Sequence, residues 1–361
     1  MIDDDWPGGL EESPPLRTVV GVYTSRTVIA HNNSPDIHFA RSINPYRGCE
    51  HGCIYCFALP THAYLGLSPG LDFETKLFAK PNAPALLEKE LRKTGYTVAP
   101  IAFGANTDPY QPTEKARRIT RGLIEVLDRA NHPLTILTKS FLVLRDIDVL
   151  ASMARRTLCS VALSITMLDC RLARVMEPRV PTSTRRLEAV QILSEAGIPV
   201  QVLVAPIIPA INDHEIEPIL EAAVKAGATG VGHVLLRLPL EIKTLFTEWL
   251  ENHFPDRASR VLSLVRQTRG GALYRSAWGE RQRGTGPYAD LIVQRVRKTK
   301  RRLGLDQKCV AIALIVGRSG RHPPRVISSP CCDRALTRAA SVKEMPIQHL
   351  IFIASRSRPN Q

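Results

Sequence analysis

The chain lacks any apolar run approaching the roughly 20 residues that a membrane-spanning helix needs. It also lacks a basic leader. Its first residues, Met1-Ile2-Asp3-Asp4-Asp5, are acidic, the opposite of a secretory or mitochondrial presequence, so a cytoplasmic protein with no membrane partner is expected. Cysteine is sparse, with eight in 361 residues, too few for a disulfide-stapled fold. No second C-x2-C pair stands where it would complete a four-ligand zinc site.

What the chain does have is one dense cysteine run, Asn44-Pro45-Tyr46-Arg47-Gly48-Cys49-Glu50-His51-Gly52-Cys53-Ile54-Tyr55-Cys56-Phe57. Cysteine thiolate is the soft ligand that iron–sulfur clusters take. The three of a C-x3-C-x2-C run can hold three irons of a cubane and leave the fourth open. An electron-transfer cluster would take four thiolates. Gly48 and Gly52 give a wrapping loop the backbone freedom that residues with a Cβ lack. A zinc knuckle and a set of redox thiols are the competing readings, and His51 reads as a loop residue rather than a ligand. An oxygen-sensitive cluster also asks for a reducing compartment.

The net charge is +14, from 48 Lys and Arg against 34 Asp and Glu. That balance raises the expectation of a polyanionic partner, a nucleic acid above all. Much of the charge lies along helical segments, where a solvated face is the commoner explanation.

Residues 1–37 read as a lead-in, acidic and Pro/Gly-rich to residue 16, with a strand or hairpin over Arg17 to Ala30. Residues 38–255 then repeat strand and helix. Strands are expected at His38–Ile43, Val98–Phe103, Leu134–Thr138, Leu158–Thr166, Ile198–Ala205 and Val231–Leu238. The helices between them include Thr113–Asn131, whose Ile119, Leu123, Val126 and Leu127 make an amphipathic face. Helices 183–196 and 213–226 are stopped by Gly197 and Gly227. The strands are continuous apolar runs, as in a parallel sheet buried on both faces. Periodicity alone leaves a doubly wound sheet and a barrel both open. Residues 256–305 form a helical extension whose last helix, Tyr288–Leu303, is basic and is the densest candidate for phosphate contacts. Residues 306–361 are an irregular basic tail that breaks the rhythm, readable as an appended strand pair or as disorder.

In parallel α/β folds the working residues collect after the C-terminal ends of the strands. There stand Asn106, Thr107 and Asp108, suited to an amino group or a ribose, although Asp108-Pro109 also starts a turn. Lys139, which can neutralise a carboxylate, follows the third strand, and Ser164 and Thr166 share one side of the fourth. Asn212 is the candidate cap of a later helix.

The cysteine run, with the aromatic Tyr55 just before its third cysteine, resembles the signature of the radical S-adenosylmethionine (radical SAM) superfamily. Together with Asn106-Thr107-Asp108-Pro109-Tyr110, Thr138-Lys139-Ser140, Ser164-Ile165-Thr166, Glu177-Pro178 and Ala205-Pro206-Ile207-Ile208-Pro209, it is similar to one branch. That branch contains spore photoproduct lyase and uncharacterised bacterial proteins labelled DNA repair photolyase-like. The likeness covers about residues 38–305. It implies an α/β fold, a partial (β/α)6 TIM-like barrel with a C-terminal helical extension. It implies a [4Fe–4S] cluster on Cys49, Cys53 and Cys56, with SAM chelated by the open iron. Reductive cleavage of SAM would give a 5′-deoxyadenosyl radical, fed by a donor such as flavodoxin or ferredoxin. Tyr55 is expected near the adenine; Thr107, Lys139 and Ser164 match the lyase's SAM contacts, with Asn106, Asp108 and Thr166 beside them.

Two positions depart from the branch. The lyase has a hydrogen-donating cysteine three residues before the acidic residue of the second strand loop, and this chain has Ala105 there. Cys159 begins the fourth strand, at the wrong end, whereas Cys170 follows it and is the candidate donor. Leu59 stands where close relatives carry arginine. The resemblance and the charge favour a nucleic-acid lesion or modified nucleotide as substrate. A peptide or small molecule, or a nucleic-acid-binding iron–sulfur protein without SAM chemistry, are the alternatives.

Overall fold

The structure is a computed structural model describing residues 17–37, 39–305, 312–314 and 325–327. The strands are β1 (Val19–Val22), β2 (Ala30–His31), β3 (Arg41–Ile43), β4 (Tyr46–Arg47), β5 (Lys76–Ala79), β6 (Ile101–Phe103), β7 (Leu134–Thr138), β8 (Cys159–Ser164), β9 (Val200–Ile207) and β10 (Gly230–Leu235). The helices are α1 (Leu71–Thr75), α2 (Ala83–Leu91), α3 (Glu114–Arg117), α4 (Ile119–Arg129), α5 (Ile147–Arg155), α6 (Cys170–Met176), α7 (Ser183–Glu195), α8 (Ile216–Lys225), α9 (Ile242–His253), α10 (Pro255–Gln267) and α11 (Pro287–Arg302).

The main sheet runs in the order β10-β9-β8-β7-β6-β3-β2. β3, β6, β7, β8, β9 and β10 are parallel, and β2 pairs antiparallel at one edge. These six parallel strands are the six expected from the sequence, although His38 lies outside the described residues. Among those residues the sheet does not close on itself, since β10 and β2 have no pairing with each other. Burial is continuous along β6 and nearly so along β8, as expected of strands covered on both faces. In β7 buried and half-buried residues alternate, and β10 is half-buried almost throughout. One side of β7 and most of β10 are therefore less tightly covered than β6 and β8.

A second, three-stranded sheet was not legible in the pattern. β1 pairs parallel with β5, and β4 pairs antiparallel with β5. The Arg17–Ala30 stretch thus joins a distant strand instead of forming a hairpin. This sheet braces the cysteine loop, because β4 immediately precedes Cys49 and the Cys49 amide donates to the Phe73 carbonyl at 2.9 Å.

The expected helix 113–131 is two helices. Arg118 sits in the left-handed region (φ 52°) between α3 and α4. The cause is Glu114, fully buried, whose carboxylate accepts the amides of Ile119 and Thr120 at 3.0 and 3.1 Å and the Arg145 guanidinium at 2.8 Å. Folding the chain back around that carboxylate caps α4. Gly197 (φ 76°) and Gly227 (φ 94°) end α7 and α8 as expected. The tail lies outside the described residues except for an antiparallel pair, 312–314 with 325–327. Among the described residues no helix is long and apolar enough to cross a membrane.

Candidate active site

The parallel register aligns the strand ends on one rim. Ile43 lies beside Phe103, Phe103 beside Ile136, Thr138 beside Leu163, and Ser164 beside Leu203. The cysteine loop leaves this rim after β3. Cys49, Cys53 and Cys56 line one pocket with His51, Gly52, Leu59, Phe73 and Glu74. Cys49 and Cys53 are buried and Cys56 is half-buried, and all three are free thiols.

Burial pushes all three thiols up from their ordinary range. A thiolate here therefore needs a cationic centre to compensate it, which iron supplies. Among the described residues no three His, Cys, Asp or Glu side chains are gathered tightly enough for a single metal ion. All three cysteines line the same pocket, so their thiols are available to one bound group. The loop's bend fits the same purpose. Gly52 has φ +67°, and a Cβ there would run into the Arg179 guanidinium and the Glu74 carboxylate. The donor set and its cradle fit a cubane held at three corners.

Beside the loop, Lys139 reaches from the end of β7 to donate to Ser164 Oγ at 2.7 Å and to the Ala205 carbonyl at 3.4 Å, with Thr166 Oγ1 at 3.5 Å. Its ammonium stands 5.6 Å from the Tyr55 ring centroid and 3.5 Å from Glu177 Oε1. Glu177 joins the pieces. It accepts hydrogen bonds from the Tyr55 hydroxyl and, at 2.6 Å, from Thr166, while Arg186 donates to its other oxygen at 2.8 Å. Burial alone would raise this carboxyl; Arg186 and Lys139, with the two hydroxyls, outweigh it and hold it at about 2. Tyr55, Lys139, Ser164 and Thr166 thus converge as the sequence suggests, with the Tyr55 hydroxyl turned to Glu177.

Other expected residues take different places. Asp108 is spent on the fold, accepting from the Thr138 hydroxyl and the Lys139 amide, each at 2.7 Å, and from the Tyr110 amide at 2.8 Å. It orients Lys139, and its turn-forming reading is the one the geometry favours. His51 Nδ1 lies 3.5 Å from Asp108, and burial lowers its pKa, so it stays neutral. The Thr107 hydroxyl donates to the Tyr46 carbonyl at 3.1 Å. Asn106 is exposed, and its backbone amide donates to Asn44. Asn212 does not cap the following helix; its amide ties the β9 loop to the Thr166 and Pro206 carbonyls at 2.8 and 2.9 Å. Cys170 is exposed at the start of α6.

Sequence reasoning gave no role to Glu177, which stood in view only within Glu177-Pro178, or to Arg186. Their signal was a charge pair flanking a strand-end loop. The expected phosphate-binding helix α11 is partly committed elsewhere: Arg295 pairs with Glu217 and Arg302 with Glu221 on α8.

The model of the Radical SAM superfamily matches residues 43–223, a span holding the cysteine run, Lys139, Ser164 and Glu177. An uncharacterized protein of Mycobacterium tuberculosis is 38% identical over 237 residues, 65% of this chain and 70% of that one. An uncharacterized protein of Methanocaldococcus jannaschii is 31% identical over 173 residues, 48% of this chain and 62% of the other. Spore photoproduct lyase complexed with dinucleoside spore photoproduct superposes with a TM-score of 0.56 at 17% identity, covering 79% of each chain. At that identity the likeness is one of fold. The family match across half the chain, with the three cysteines inside it, carries more: this chain belongs to the radical SAM superfamily and is a radical SAM enzyme, of a family that works with a [4Fe–4S] cluster and S-adenosylmethionine.

Proposed function

We propose that Cys49, Cys53 and Cys56 hold the cluster and that SAM lies between the cysteine loop and the ends of β7 and β8. The observation that carries this reading is the continuity of the two sites. Tyr55, inside the loop, and Lys139, at the rim, meet on Glu177. Lys139 and Ser164 meet the ligand, Thr166 stands with them, and Thr107 and the exposed Asn106 line the β6 side. Asp108 acts through Lys139, whose amide it holds. When bound, the cluster and SAM supply a 5′-deoxyadenosyl radical; the chain's own work is to orient SAM, exclude water and present a substrate C–H bond.

The six parallel strands are read as a partial (β/α)6 barrel over residues 38–255, with 1–37 as lead-in and 256–305 as helical extension. A cytoplasmic setting, with a low-potential reductant such as flavodoxin or ferredoxin, suits the cluster's need for reduction. The substrate is proposed to be a nucleic-acid lesion or modified nucleotide, supported by the +14 charge and by the shared fold with the lyase. A target base would have to be single-stranded or flipped to reach such a site. Cys170 is the proposed hydrogen donor in place of the missing thiol at Ala105, its support being its position after β8.

Anaerobic reconstitution followed by dithionite and SAM tests the first part. The wild-type protein should release 5′-deoxyadenosine, and Cys49→Ala, Cys53→Ala and Cys56→Ala variants should not. A fully loaded cluster that never cleaves SAM would refute the assignment. Deuterated oligonucleotides, peptides and small metabolites then identify the substrate class by label entering 5′-deoxyadenosine, and Cys170→Ala should change the product if that thiol returns a hydrogen.

A further inference from the structure

The rim beside β10 carries positive charge that no carboxylate binds. Arg237 lies two residues beyond the end of β10, with its guanidinium carbon 4.6 Å from the centroid of the Phe57 ring. Phe57 directly follows Cys56, and the residue is 41% exposed. Arg237 makes no hydrogen bond or ion pair among the described residues, and its Nε is buried without a partner.

Next to it stands Arg269, 1% exposed. Its terminal nitrogens donate to the Glu280 and Leu236 carbonyls at 2.6 and 2.7 Å, and its Nε is also buried without a partner. The Glu280 side chain attracts it without a hydrogen bond. Burial, and then the like charge of Arg237, bring Arg269 down to about 10. Two guanidiniums close enough to repel, one of them sealed from water, raise the free energy of the unliganded fold. A bound anion reverses that sign, and the planar guanidinium fork matches phosphate geometry. The aromatic platform holds the Arg237 fork flat and limits the entropy lost on binding.

We propose that Arg237 anchors a phosphate group of the substrate, with Phe57 as its platform and the fixed charge of Arg269 behind it. Its platform, Phe57, directly follows the third cluster cysteine, so a phosphate held there would lie close enough for the attached nucleoside to reach the cysteine loop. The nucleic-acid reading above enters only as the source of that phosphate, a backbone phosphodiester. Helix α11 is the weaker alternative, because two of its arginines already have carboxylate partners.

The test is binding of a labelled single-stranded oligonucleotide to the reconstituted full chain, followed by anisotropy across a salt series. Four proteins are compared: wild type, Arg237→Gln, Arg237→Lys, and Lys298→Gln on α11. Inorganic phosphate is the competitor. Arg237→Gln should weaken binding at least about tenfold and lower the salt slope by about one. Arg237→Lys should recover the slope with only part of the affinity. Replacing one backbone phosphate at a time by a neutral methylphosphonate should weaken the wild type most at one position, and Arg237→Gln should be insensitive at that position while still responding at the others. Equal losses in Arg237→Gln and Lys298→Gln would overturn the anchor, as would an Arg237→Gln protein that binds like wild type. Direct binding of inorganic phosphate that depends on Arg237, read by calorimetry in a protein that binds no oligonucleotide, would uphold the anchor and overturn the nucleic-acid source. Absence of both would overturn the two together.

Discussion

Glu177 and Arg186 are hydrogen-bonded at 2.8 Å, and each is almost entirely sealed from solvent. A buried ion pair is retained at a desolvation cost, and removing one partner is worse than removing both. Arg186 also donates to the Ser164 carbonyl at 2.7 Å, so the pair ties the end of β8 to the residue that holds Tyr55 and faces Lys139. Arg186→Leu should destabilise the apo protein by about 3–5 kcal/mol, read from urea midpoints. The double variant Arg186→Leu with Glu177→Gln should recover a good part of that loss. Additive losses would show that the pair is not the coupled unit described.

Lys139 carries the second prediction. Its ammonium is held by a serine hydroxyl, a carbonyl and a carboxylate, a position where it can add a carboxylate of SAM to its partners. Lys139→Gln should weaken SAM binding by about tenfold or more, the worth of a charge-assisted hydrogen bond. Iron and sulfide content should stay at the wild-type level. Equilibrium dialysis with labelled SAM, beside iron analysis, separates the two. A loss of iron along with SAM would mean that Lys139 supports the loop rather than the ligand.

The main sheet was legible because its strands are apolar runs at regular spacing, and the cysteine loop because C-x3-C-x2-C has few other readings. The three-stranded sheet was not: β1 pairs with β5 across more than 50 residues of chain, and nothing local in Val19–Val22 marks that partner. The break at Arg118 was hidden for a related reason. The periodicity of residues 113–131 is helical throughout, and what divides it is a buried carboxylate answering Tyr46 and Arg145 from elsewhere in the chain. Asn212 was misplaced, and the hold of Asp108 on Lys139 went unread beside its turn-starting role, because side-chain-to-backbone bonds between strand-end loops leave no sequence period.

Gly104 offers a test of how tightly the β6 loop is built. It has φ +81°, and a Cβ there would meet the Leu137 carbonyl, a backbone atom that cannot step aside. Gly66 has a similar φ of +70° with nothing within 4 Å. Gly66→Ala should therefore cost only left-handed strain, about 1–2 kcal/mol, while Gly104→Ala should cost about 3 kcal/mol or more through added overpacking. Denaturation midpoints compare them directly, and equal losses would argue against the close approach of β6 and β7 at this point.

Acid should unfold the protein partly through His132. The ring is 2% exposed. Its Nδ1 lies 3.0 Å from the Pro133 carbonyl, which can only accept, so that nitrogen carries the proton; Nε2, 2.8 Å from the Tyr96 hydroxyl, accepts. Burial, against the pull of that carbonyl and helped by the nearby Arg41 charge, lowers the group from 6.5 to about 4. Between those values the unfolded chain binds a proton that the folded chain refuses. The stability is fully present above pH 6.5 and is lost as pH falls towards 4, amounting to about 3 kcal/mol over the window. His233, also lowered to about 4 by burial, adds to the same slope. His132→Gln should therefore flatten the fall in urea midpoint between pH 7.5 and pH 4.5 without abolishing it, whatever its stability at neutral pH. A variant whose midpoint falls as steeply as that of the wild type would mean that His132 is already protonated in the fold.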